Sequence, residues 1–266
     1  MTLGCKFEHN GFVGFLYQPA AKLAMTPDER TSLWASVSRS VRTPSVTNRD
    51  IRFIAPLGGG QFLRVNGSRA TTEEQAITYE LGMRRQPTER FYWDFAAYFT
   101  RYEDLIKTVP TGVTPPFVNG VFANYAAADT YGAEIWGTYE ASDRQRFRAS
   151  YSFYREVFDE RGVNAFDLLN VSGTYPGSMA NLVSSTDLTE CVTLDTTIRY
   201  VDSLARVGSY VEMDVRLGWR LRNGMEAALV GQNLLQPSHT EFVEPSRVNS
   251  TTDVQRGVFG VLSCGY

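Results

Sequence analysis

Two histidines, three cysteines and a set of regularly spaced charges are the side chains of this 266-residue chain whose types could carry chemistry. His9 and His239 each fall beside a segment that reads as a loop, where a pair of imidazoles could touch a metal chelate. No third ligand lies at a spacing that would complete a coordination shell, so both read as solvated loop residues. Cys5, Cys191 and Cys264 are far apart and odd in number, which suits neither a metal cluster nor a disulfide framework, and they read as free thiols. Asp, Ser and His all occur without a Gly-x-Ser-x-Gly element, and Gly58-Gly59-Gly60 lacks the Lys-Ser/Thr that would cradle a phosphate, so it reads as loop flexibility. Asn66-Gly67-Ser68, Asn170-Val171-Ser172 and Asn249-Ser250-Thr251 match glycosylation acceptors and read as chance matches in loops. No catalytic residue, metal site or cofactor is called for, and the chain reads as a non-enzyme.

What remains is a series of charges at alternate positions: Arg39, Arg42, Asp94, Glu134, Arg146, Arg148, Glu212, Asp214 and Arg216. Val211-Glu212-Met213-Asp214-Val215-Arg216-Leu217-Gly218-Trp219-Arg220-Leu221 shows the pattern most clearly, with every odd position apolar and every even position polar or Gly. A period of two puts these on opposite faces of a strand. The apolar face must meet either a second sheet, as in a soluble sandwich, or lipid, as in an outer-membrane barrel. In the barrel reading the nine charges face a lumen, as contacts for a plug or a charged ligand, or simply as a paired and solvated wall.

The same rhythm recurs along the chain as about twelve strands of roughly 9 to 12 residues, long enough for a tilted bilayer crossing. Tight turns alternate with long connections at Arg42 to Glu73, Glu103 to Asn124, Phe158 to Pro176 and Gln236 to Asp253. Sorting of connection length by parity is what a barrel with short periplasmic turns requires, and a soluble sandwich has no reason for it. The aromatic share of 13% suits interfacial girdles, with Tyr102, Tyr125, Tyr131, Tyr151, Tyr154 and Tyr210 near strand ends. A net charge of -3 argues against nucleic acid, and no apolar run is long enough for a spanning helix. The N-terminus alternates at once and reads as having no signal peptide. A secreted all-β carbohydrate-binding module with an aromatic-rich face is the alternative that these features leave open.

Three segments carry a family resemblance. Leu33-Trp34-Ala35-Ser36-Val37-Ser38-Arg39-Ser40-Val41-Arg42-Thr43-Pro44-Ser45 is similar to a barrel strand and loop start of TonB-dependent outer-membrane receptors. Tyr79-Glu80-Leu81-Gly82 resembles the family's next strand, and Gly231-Gln232-Asn233-Leu234-Leu235, followed by His239 and Glu241-Phe242, resembles its penultimate one. The resemblance implies an antiparallel transmembrane β-barrel of 22 strands with a plugged lumen, of which residues 1–266 would be the C-terminal part. The plug, the energy-coupling segment and the first strands would then lie outside this sequence. Outer-membrane lipid, the plug, the TonB energy-transducing complex and an extracellular nutrient (metal chelate, cobalamin or glycan) are the partners it implies. The last residues depart from the family's pattern, which ends on Phe rather than on Tyr266.

Overall fold

A computed structural model describes residues 1–160, 175–221, 224–243 and 251–264. Alternation becomes strand throughout: β1 (Thr2–Asn10), β2 (Gly14–Asp28), β3 (Thr31–Arg42), the short helix α1 (Val46–Asp50), β4 (Arg52–Gly58), β5 (Gln61–Asn66), β6 (Glu74–Thr88), β7 (Phe91–Thr114), β8 (Phe117–Ser142), β9 (Gln145–Glu160), β10 (Ser178–Asp187), β11 (Val192–Val201), β12 (Tyr210–Arg220), β13 (Met225–Gln232), β14 (Ser238–Val243), β15 (Thr251–Gln255) and β16 (Gly257–Cys264). Twelve of them run in one path, β1-β2-β3-β6-β7-β8-β9-β10-β11-β12-β13-β16, with each neighbouring pair antiparallel. The sheet is open, with β1 and β16 as its edges. Among the described residues, no helix is long and apolar enough to cross a membrane.

Two predicted loops are something else. The segment from Glu103 to Asn124 is the unbroken continuation of β7 and β8, whose register runs on to Val113↔Val118 through irregularities near Leu105 and Gly112. Arg42 to Glu73 holds α1, closed by a Ser45–Asn48 capping box, and the hairpin β4–β5. Gly58, Gly59 and Gly60 form its tip at φ of 90°, 59° and 79°, a conformation only glycine adopts without cost, so the triplet is a tight turn rather than a slack loop. β5 then joins β8 in parallel, from Phe62↔Phe117 to Asn66↔Val121. Leu63 and Val65 on β5 are almost wholly buried at this junction, as are Ala126, Ala127 and Ala128 further along β8. The parts of the last two long connections at 161–174 and 244–250 lie outside the described residues, as do two glycosylation matches, Asn170 with Val171-Ser172 and Asn249-Ser250.

Directly paired residues share a face, so the register assigns every strand position to a side. Phe91, Trp93, Phe95, Ala97 and Phe99 share one face with Ile77, Tyr79, Leu81 and Met83 and with Tyr131, Ala133, Ile135 and Tyr139. That face continues through Phe147, Ala149 and Tyr151 to Leu182, to Ile198 and Leu194, and to the odd positions of β12 from Val211 to Trp219. It carries no charge over these stretches, yet its large apolar groups are bare: Leu81 is 57% exposed, Tyr79 53% and Leu23 49%. Nine residues such as Phe91 to Phe99 span about 26 Å along the strand, or about 20 Å once tilted by about 40°, close to the ~25 Å apolar band of an outer-membrane barrel. Charges return toward its two ends: Arg101 and Asp129, paired at 3.0 Å, lie one step beyond Phe99, and Arg85 stands opposite Trp93, one step inside Phe91.

Candidate functional site

The opposite, polar face is where the candidate residues collect. Following the register across the sheet, Arg42, Asp94, Glu134, Arg146, Arg148, Glu212, Asp214 and Arg216 all lie on it. Arg39 does not. It pairs with Ile77 and shares the face of Leu33, Ala35 and Val37, with its guanidinium over the Tyr17 ring at 4.5 Å and bonded to Gln75. The strand continues past the apolar band there, so alternation still assigns a face but a charged residue no longer marks the polar one.

Several of these charges are paired in place. Arg84 donates to Asp94 at 2.8 Å, Arg216 bridges Asp195 at 3.2 Å and Glu226, and Arg42 meets Glu74, which is 4% exposed and also accepts the Ile106 N–H at 2.7 Å. Glu134, Arg146 and Arg148 are exposed and have no hydrogen bond or ion pair among the described residues. Aromatic rings lie between the charges on the same face. A Cβ at Gly82 would collide with the Trp34 ring, and one at Gly132 would sit 2.5 Å from the Tyr98 hydroxyl, so these two glycines are the seats of the two rings. Tyr92 and Trp136 pack at 5.1 Å beside Asp94. Tyr102, Tyr154 and Tyr210 also belong to this polar face, so of the tyrosines assigned to a girdle only Tyr131 and Tyr151 are shown by register to stand on the apolar side.

The largest departure from the sequence reading is His239, which is buried rather than solvated, at 8% exposure. β14 and β15 pair as a separate hairpin whose His239 faces β12. Its ring packs at a tilt against Tyr210, with centroids 4.5 Å apart, its Nε2 lies 3.0 Å from Glu241 and its Nδ1 lies 3.1 Å from Glu212, itself 1% exposed. The Asn233 backbone, at φ 54°, donates to Asp214, while the Asn233 side chain donates to the Gln255 carbonyl of β15. Burial, with Glu241 nearby, pushes the Tyr210 phenol up, just outside the apolar stretch that starts at Val211. At the opposite end, N–H bonds from Arg30 and a bond from Thr31 hold the Asp28 carboxyl below its usual range and fix the β2–β3 turn. His9 is exposed at the far end of β1, remote in sequence from His239. Cys5, Cys191 and Cys264 are free and exposed. Among the described residues no three His, Cys, Asp or Glu side chains sit together as a metal site.

Among the described residues the polar wall carries paired charges, unpaired charges and aromatic rings side by side. A family model described as "TonB dependent receptor-like, beta-barrel" matches residues 4–234. Among curated proteins none matches in sequence. Among solved structures, the ferric enterobactin receptor PfeA superposes with a TM-score of 0.77 at 14% identity, over 98% of this chain and 42% of that one. The siderophore receptor PirA from Acinetobacter baumannii gives 0.76 at 12%, over 98% and 42%. The ferric-catecholate import receptor Fiu from K12 E. coli gives 0.70 at 16%, over 94% and 35%. The chain thus spans less than half of each of these structures. At such identities the likeness establishes the fold, and the family match establishes the kinship: the chain belongs to the TonB-dependent receptor β-barrel family.

Proposed function

We propose that residues 1–266 form the C-terminal wall of a 22-stranded outer-membrane barrel that takes up a ferric chelate. The observation that carries this reading is the uncharged, exposed apolar band, too large and continuous for a surface facing water and of the height that lipid requires. Twelve strands leave about ten to be supplied by chain outside these residues, and β1 and β16 are the edges on which they would pair. Glu134, Arg146 and Arg148, lacking partners on the wall, are offered to a plug in the lumen. Energy would arrive from the TonB complex through that plug, and the nutrient would be captured at the outer end by the long connections. Ferric chelates are favoured over cobalamin or glycan because the similar structures are those of ferric enterobactin, siderophore and ferric-catecholate receptors.

Deleting the gene from its host should abolish uptake of one class of radiolabelled ferric siderophore under iron limitation and leave cobalamin uptake intact. Restoring the gene should restore uptake, and Arg146→Glu with Arg148→Glu should lower it severalfold while the protein still fractionates with the outer membrane. Loss of cobalamin or glycan uptake instead, or recovery of the protein from the soluble fraction, overturns the assignment.

A further inference from the structure

We infer that the β14–β15 hairpin is a proton-operated latch, in which His239 holds these two strands down on the polar wall. The inference rests on the packing, not on the identity of the transported nutrient. Glu212 is almost wholly buried, yet neither of its carboxylate oxygens has a hydrogen-bond partner among the described residues. His239 Nδ1 stands 3.1 Å from it but off the line of a hydrogen bond, and it too lacks such a partner. A buried carboxylate without a hydrogen bond is tolerable beside a cation and costly beside a neutral ring. The imidazole is the side chain whose charge changes within about pH 5 to 8, so the contact holding the hairpin is one that a proton makes or breaks.

Titratable and charged groups reach the imidazole from the elements packed against it. On β12, Tyr210 packs at a tilt against His239 and Glu212 abuts it; on β14, Glu241 meets Nε2; on β11, Arg199 lies 3.7 Å from Glu241 and offsets part of that carboxylate. On β15, the apolar Val254 sits opposite His239, and Asp253 is engaged by the Thr240 hydroxyl at 2.6 Å. Two carboxylates and one more distant arginine thus face the imidazole. Among the described residues the Asn233 amide also ties the wall to Gln255, and a cavity of about 500 Å³ bordered by Asp214, Gln232, Asn233 and Val254 lies beside the hairpin. With a proton on His239 the hairpin is clamped; without it Glu212 is left as an uncompensated buried charge, and the hairpin lifts to let water reach it. Low pH closes the latch and rising pH opens it.

The test uses the protein in outer membranes of expressing cells, with Cys5, Cys191 and Cys264 changed to Ser and spin labels placed at Ser238→Cys on the hairpin and Glu190→Cys in the β10–β11 turn. At about pH 5 the inter-label distance should be single and narrow, and by about pH 8 the ratio of clamped to lifted hairpin should fall about tenfold or more. His239→Gln, which cannot charge, should give the lifted distribution at both pH values. Glu212→Gln, which removes the buried charge, should give the clamped distribution at both. A native distribution that does not change with pH, or a His239→Gln variant that keeps the native pH response, overturns the latch whatever the uptake assays show.

Discussion

Leu81→Arg should lose outer-membrane insertion almost entirely, because the guanidinium would stand in the middle of the uncharged band between Ala35 on β3 and Ala97 on β7. A cation at the midplane of a barrel's lipid face costs about 2 to 4 kcal/mol, enough at the upper end to shift an insertion equilibrium by several hundredfold. The matched control lies one residue away. Glu80→Arg faces the polar side, where Trp34 Nε1 donates to Glu80 at 3.1 Å, and it should exchange that bond for a solvated charge without preventing insertion. Quantitative membrane fractionation of both variants, followed by urea titration of the inserted protein, reads the difference. Equal insertion of the two would mean that the apolar face does not meet lipid.

Glu74→Ala should loosen the outer half of the sheet by about 2 to 4 kcal/mol, since it strips a buried acceptor from the Ile106 N–H and leaves Arg42 without its carboxylate. The two conservative changes separate these effects. Glu74→Gln keeps an oxygen for Ile106 and should cost about 1 kcal/mol, whereas Arg42→Ala leaves a buried carboxylate still bonded to Ile106 and should fall between. Arg42 is largely exposed, so its own loss of partner weighs little beside the orphaned backbone donor. Hydrogen exchange over residues 103–126 is the direct readout. Protection unchanged there in Glu74→Ala would remove Glu74 as the pin between β6 and β7.

Most of the fold was legible because a strand's periodicity is local. From Val211 to Leu221 each residue declares its side, and the register reproduces that assignment strand after strand to β3. What periodicity does not declare is where the surrounding medium changes. Arg39 follows Val37 in perfect alternation of apolar and polar neighbours, but it belongs to the apolar face at a height where that face has left the band. The continuation of β7 and β8 was hidden by Pro110, Pro115 and Pro116, which read as breakers, while the ladder absorbs Pro110 opposite Gly120 and turns at the other two. His239 was invisible for a different reason. Its neighbours Glu212 and Tyr210 lie far back in sequence, and no local pattern announces that a hairpin will fold onto a wall.

The parallel join of β5 to β8 imposes an order in time. β4 and β5 are synthesised before β6, β7 and β8, yet the edge that receives Phe62 is Phe117, 55 positions later. The hairpin can form at once through its glycine tip, but it has nowhere to settle until the β6–β7–β8 meander is complete. Its docking is therefore a checkpoint: burial of Leu63 and Val65 requires that β8 is in place, and a chain ending before β8 would carry those two side chains in the open.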